Sequence, residues 1–102
     1  MPPIDTKNLD KEIKIFLKTT EPMCDGDKEL QHDIDVYLNH LALCYQAGDH
    51  VETFEYTAAI DTLKELSELN NIESYDLLIR DFPHIQNLLS FYQKKISRRK
   101  LK

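Results

Sequence analysis

Leu41-Ala42-Leu43-Cys44-Tyr45-Gln46-Ala47-Gly48-Asp49-His50-Val51-Glu52-Thr53-Phe54-Glu55-Tyr56 is the stretch on which the fold turns. Upstream of Gly48, the residues Leu30, Ile34, Leu38, Leu41 and Tyr45 recur at intervals of three and four, which lines one face of an α-helix. Asp27 can cap this helix, which is expected to run from Lys28 to Ala47. Gly48 is its natural stop, because glycine enters the left-handed conformation without a Cβ clash. Asp49, with Glu52 three residues on, reads as a capping box opening the next helix, whose stripe is Phe54, Ala58, Ala59, Leu63 and Leu66. Two helices joined this tightly form an antiparallel hairpin.

Working outward, the same period continues on both sides. Thr6 or Asp5 can cap a first helix carrying Leu9, Ile13, Phe16 and Leu17, which Pro22 ends. The segment from Glu21 to Asp27 holds Pro22 and Gly26 and reads as a loop. Beyond the hairpin, Asn70 can close the third helix and Asn71 can cap a short fourth one bearing Ile72, Tyr75, Ile79 and Phe82. Pro83 suits the first turn of a fifth helix, where its missing N–H costs no hydrogen bond, and Ile85, Leu88, Leu89, Tyr92 and Ile96 form its face. No segment alternates apolar and polar residues long enough for a strand. The expected fold is all-α, a compact antiparallel bundle or helical-hairpin array of about five short helices.

A chain of 102 residues can bury one core, so residues 1–102 are expected to form a single domain. Hydrophobic residues make up 41% and charged residues 30%, a globular rather than a disordered balance. The longest uncharged stretch, Val36 to Gly48, is shorter than the ~20 residues a membrane span needs. The N-terminal Met1-Pro2-Pro3-Ile4-Asp5 lacks the pattern of a secretory signal. An intracellular protein is therefore expected, in the cytoplasm or, in a eukaryote, the nucleus, with Cys24 and Cys44 as thiols.

Charge is unevenly placed. Residues 94–102 carry six of the thirteen basic residues and no acid, leaving seven basic against eighteen acidic residues in 1–93, a formal charge of −11. Residues 97–102 are expected to form a frayed basic tail complementing the dipole of the fifth helix. The acidic body argues against nucleic acid except through the basic run Lys94 to Lys102, in which Lys94, Lys95, Arg98 and Arg99 are the candidate contacts for an acidic partner or a nucleic acid.

No constellation for catalysis stands out. His40 and Cys44, four apart on the second helix, supply half of a metal site, but no Cys-x-x-Cys or His-x-x-x-His pair supplies the other half. A histidine on a small bundle can also accept a phosphoryl group. His40, however, is followed by Leu41-Ala42-Leu43 rather than by the Lys-Gly pair common in phosphotransfer domains. Gly26 and Gly48 are too far apart to build a phosphate loop. No enzyme, cofactor or metal is expected.

The stretch from Leu41 to Asp49, continued by Glu52, Phe54, Glu55, Tyr56 and Ala59, resembles one tetratricopeptide repeat in its tyrosine, its turn glycine and its small and aromatic packing positions. The likeness covers about a third of the chain; Thr53 stands where that pattern has a small alanine, the first helix is a residue short, and no second copy follows at the repeat period. Leu63-Lys64-Glu65-Leu66, Leu77-Leu78 and Ile85-Gln86-Asn87-Leu88-Leu89 are similar to the helical N-terminal domain of transcription elongation factors. Flagellar export chaperones match over the hairpin and the last helix. All three resemblances imply work done by protein contact.

The expected function is thus a non-enzymatic helical interaction module, as in an adaptor, chaperone or regulatory subunit, with another protein as partner. Tyr75, Phe82, Phe91 and Tyr92 on the last two helices, and Tyr37 and Leu43 on the second, are the candidate contacts, because aromatic residues are enriched at interface hot spots. The alternatives are a homodimeric structural or regulatory protein, motivated by Val36, Leu43 and Leu77 lying off the main stripes, and a phosphotransfer domain built on His40.

Overall fold

Each helix starts where a side chain can meet its unpaired N–H groups. In the computed structural model, which describes residues 4–100, α1 spans Thr6–Thr20 and is capped by Asp5, whose carboxylate accepts from the Lys7 and Asn8 amides at 3.1 and 3.2 Å. After a 3-10 turn at Pro22–Cys24 comes α2, Lys28–Ala47, capped by Asp27 through the Leu30 amide at 3.0 Å. Gly48 closes α2 at φ 72°, and the Asp49 amide donates to the Cys44 carbonyl at 2.9 Å. This hydrogen bond across the left-handed residue is the Schellman arrangement that a glycine there permits.

The capping box at Asp49 and Glu52 does not form. The N–H of Asp49 is already spent on α2, and the chain stays non-helical through Glu52, burying Val51. α3 therefore spans Thr53–Leu69 with Glu52 as its cap residue, and Glu55 accepts from the Glu52 amide at 2.8 Å. The box has moved three residues along.

Asn71 likewise ends α3 instead of starting the next helix. It takes φ 56°, and the Ile72 amide donates to the Ser67 carbonyl at 2.8 Å, a second Schellman closure with asparagine in place of glycine. α4 is then one turn, Tyr75–Leu78, capped by Ser74, so Ile72, Ile79 and Phe82 fall outside it. The Gln86 side-chain amide meets the orphaned carbonyls of Ile79 and Arg80 at 2.6 and 3.0 Å. α5 spans Pro83–Lys100, so 97–100 continue the helix where a frayed end was expected; 101 and 102 lie outside the described residues.

Among the described residues the structure is all-α, five helices without a strand. α2 packs between α1 and α3, which do not meet, and α5 lies against all three. The core fills the space between this three-helix layer and α5: Leu9, Ile13 and Phe16 from α1, Ile34, Leu38 and Leu41 from α2, Leu63 and Leu66 from α3, and Ile85, Leu88 and Tyr92 from α5 are all buried. One face of α2 and α3 is thereby spoken for, and the opposite face is open.

Candidate functional site

The aromatic residues expected at an interface are mostly committed to the interior. Tyr92 is buried, and Phe82 packs edge-on against Phe16 at 5.1 Å between centroids. Phe91 stacks edge-on with both Tyr45 and Tyr92, and the Lys95 ammonium sits over its ring at 4.6 Å. A cation over the negative face of a ring is favourable, so Phe91 and Lys95 satisfy each other. Tyr37 is half-buried against the core. Tyr75 is half-buried in an open cleft between α3, α4 and α5 that it shares with Tyr56, Arg80 and Gln93. These five aromatic residues form no exposed patch.

Leu43 has the opposite fate. It is 65% exposed, and Val36, seven residues earlier on α2, is 44% exposed. Seven residues are two helical turns, so both project from one side of α2, opposite Ile34, Leu38 and Leu41. Phe54, expected in the α3 stripe, is 71% exposed. Its position is about half a turn of rotation away from the buried Ala59, Leu63 and Leu66 at 100° per residue. The helical period itself, not the starting residue, takes it out of that stripe. The two open faces adjoin where His40 Nε2 of α2 meets Glu55 Oε1 of α3 at 3.1 Å, with Leu43 one turn from His40 and Phe54 next to Glu55.

The chemistry around His40 is that of a structural contact. Cys44 Sγ lies 3.6 Å from His40 Nε2, the same nitrogen that faces Glu55. A nucleophile and an orienting acid would need opposite ring nitrogens. The thiol is pushed up from its ordinary value by burial first and then by the charges of Glu55 and Asp49, which disfavours a thiolate. A carboxylate 3.1 Å from the imidazole would also repel an incoming phosphoryl group. Among the described residues no group of three or more His, Cys, Asp or Glu side chains is placed to hold a metal ion.

The electrostatics of the open face are one-sided. From Glu29 to Leu63 the chain has seven acidic residues and no lysine or arginine. Glu29, Asp35, Glu52 and Asp61 are exposed. Among the described residues no lysine or arginine lies within ion-pair distance of any carboxylate; the three pairs present, His40–Glu55, His50–Glu52 and His84–Glu12, all involve histidine. The negative charge of the face is therefore not neutralised from within.

The basic end of α5 is partly anchored. Arg99 donates to the Val51 carbonyl at 3.0 Å and reaches His50 Nε2 at 3.1 Å, holding the α2–α3 connection, while Lys94 and Arg98 are exposed. One contact was missed in the sequence altogether. Glu12 of α1 caps α5, accepting from the His84 amide at 3.0 Å and the Ile85 amide at 3.3 Å, and also meets His84 Nδ1. The signal for it was Phe82 at the cap position, which offers no acceptor and requires one from elsewhere.

No protein-family model, no curated protein and no solved structure matches this chain. No helix among the described residues is long and apolar enough to cross a membrane. The candidate site rests on the geometry of the α2–α3 face.

Proposed function

We propose that this protein is a non-enzymatic helical module that binds another protein through the open face of the α2–α3 hairpin, with Val36, Leu43 and Phe54 as its apolar contacts. The observation that carries the reading is the exposure of these three large side chains on adjoining helix faces; the other exposed large apolar side chains, Ile15, Leu69 and Leu77, lie on α1, at the end of α3 and on α4. Water around exposed apolar groups is the driving force for association, and a grouping of them marks an interaction surface. The tetratricopeptide-like hairpin implies the same kind of work. An adaptor, chaperone or regulatory subunit would use such a face; Lys94 and Arg98 lie outside it.

The test compares proteins recovered with the full chain and with a Leu43→Ser, Phe54→Ser double variant. A partner recovered in fixed stoichiometry with the native chain should disappear with the variant, while circular dichroism stays unchanged. Retention of every partner would overturn the reading. The homodimer alternative draws on the off-stripe Val36, Leu43 and Leu77, all three exposed, and sedimentation at high protein concentration distinguishes it: a monomer removes it. Symmetric self-pairing through this face would bring acidic surface against acidic surface, which is unfavourable at low salt.

A further inference from the structure

We infer that the segment seated on the open α2–α3 face is a basic amphipathic helix of a partner protein, a statement that rests on the reading of this face as a protein-binding surface. Two independent features of the face specify that chemistry.

The first is spacing. Val36 and Leu43 stand two turns apart on one side of α2, about 10 Å along the helix axis. Apolar residues at i, i+3 or i+4, and i+7 of a second helix repeat at that same interval, so a two-to-three-turn helix laid along α2 sets its apolar stripe against both. Phe54 on the neighbouring helix supplies the flank of the seat.

The second is charge. Glu29 and Asp35 on α2, and Glu52 and Asp61 at and within α3, are exposed, and no lysine or arginine pairs with them among the described residues. The cationisable groups near these carboxylates are Lys28 and His32, which line one cleft with Asp35, His40, which is taken by Glu55, His50, which meets Glu52 at 3.2 Å, and Lys64. They are fewer than the seven acids from Glu29 to Leu63, and neither lysine is within ion-pair distance of one. An apolar helix without charge would leave these carboxylates facing a low-dielectric contact, and an acidic one would be repelled. Lysines and arginines flanking the apolar stripe meet both needs.

A second copy of this chain does not fit the description. Its basic residues lie mainly at the end of α5, whose apolar side, Ile85, Leu88, Leu89, Tyr92 and Ile96, is buried in its own core, and along α1. There the exposed Lys7, Lys11, Lys14 and Lys18 accompany a single exposed large apolar side chain, Ile15, while Leu9, Ile13 and Phe16 are buried. Either helix could offer charge to the face but no exposed apolar stripe two turns long.

The experiment uses the full chain, labelled for NMR, and three synthetic peptides of about four turns. One has leucines on one side and lysine and arginine elsewhere; the second keeps the leucines and replaces the cations with glutamate; the third has the composition of the first with the leucines scattered. The basic amphipathic peptide is expected to shift resonances of residues 32–43 and 54–65, to bind at least about tenfold more tightly than either control, and to weaken as salt is added. A Leu43→Ala, Phe54→Ala variant with an unchanged spectrum should lose about tenfold in affinity or more. Equal binding of the acidic peptide, or of the scattered one, overturns the inference, as do shifts confined to another surface or an unaffected variant. If the peptides fail while the Leu43→Ser, Phe54→Ser variant still releases the native partner, the occupant is wrong and the binding face stands. If that variant releases nothing, the face itself is wrong.

Discussion

Phe91 and Phe54 are the same residue in helices of the same small protein, and the molecule treats them oppositely. Phe91, on α5, is wedged between Tyr45 and Tyr92 with a lysine over its ring; Phe54, at the start of α3, is 71% exposed. The difference is one of layer. α5 closes the inner face of the layer, so even a residue beside its main stripe finds neighbours, whereas α2 and α3, although each packs against three other helices, keep an outer face on which Val36, Leu43 and Phe54 are exposed. Apolar residues on the open side of a layer are covered only by something outside it. What α5 is to the inner face of the layer, a partner helix would be to the outer face, and the outer face differs in being ringed by acid.

The contrast would be sharpened most by cutting into the covered region. Leu88 is fully buried on the inner side of α5, and Leu88→Ala is expected to lower stability by about 2–5 kcal/mol in urea unfolding, through lost transfer energy and the cavity left behind. A loss below about 1 kcal/mol would mean that α5 is not seated as described. A smaller effect is expected at the clasp holding the start of that helix. Glu12→Ala strands the His84 and Ile85 amides and should cost about 1–2 kcal/mol, with faster amide exchange in the first turn of α5.

Alkaline titration probes the same inner face. Burial pushes the hydroxyls of Tyr92 and Tyr56 up to about 12, from an ordinary value near 10. The unfolded chain therefore releases these protons first, and the stability they confer is complete below about pH 10 and is lost as pH rises toward 12. The urea midpoint should fall across that window, less steeply in Tyr92→Phe; a midpoint flat to pH 12 would place the ring in water. The smallest effect belongs to the open face. Phe54→Ala should change stability by no more than about 0.5 kcal/mol, and a larger loss would show that Phe54 packs within its own chain and is not free for a partner.

Most of the architecture was legible in the sequence because helix stripes and caps are local. The 3.6-residue period placed Leu9, Ile13 and Phe16, Leu30, Ile34, Leu38 and Leu41, and Ile85, Leu88, Leu89, Tyr92 and Ile96 on inner faces, and each is buried. Asp27, Gly48 and Pro83 mark helix boundaries that the structure keeps. Even here, local rules competed: at Asp49 the N–H that a capping box needs is given to the Cys44 carbonyl, and at Asn71 the left-handed backbone that closes α3 replaces the extended backbone of a helix-opening cap. Which apolar residues end up covered was decided only by tertiary packing. Leu43 and Phe91 both stand off the main stripe of their helices, yet one is 65% exposed and the other packed between two tyrosines, and nothing within each helix says how many neighbours it will have. Phe54, by contrast, was expected in the α3 stripe although it is half a turn from Leu63. Nor could spacing show Glu12 reaching α5, since that hydrogen bond joins residues 72 apart. Periodicity is a property of one helix, while exposure and capping from a distance belong to the arrangement of all five, and it is that arrangement which leaves an acidic, apolar face open on α2 and α3.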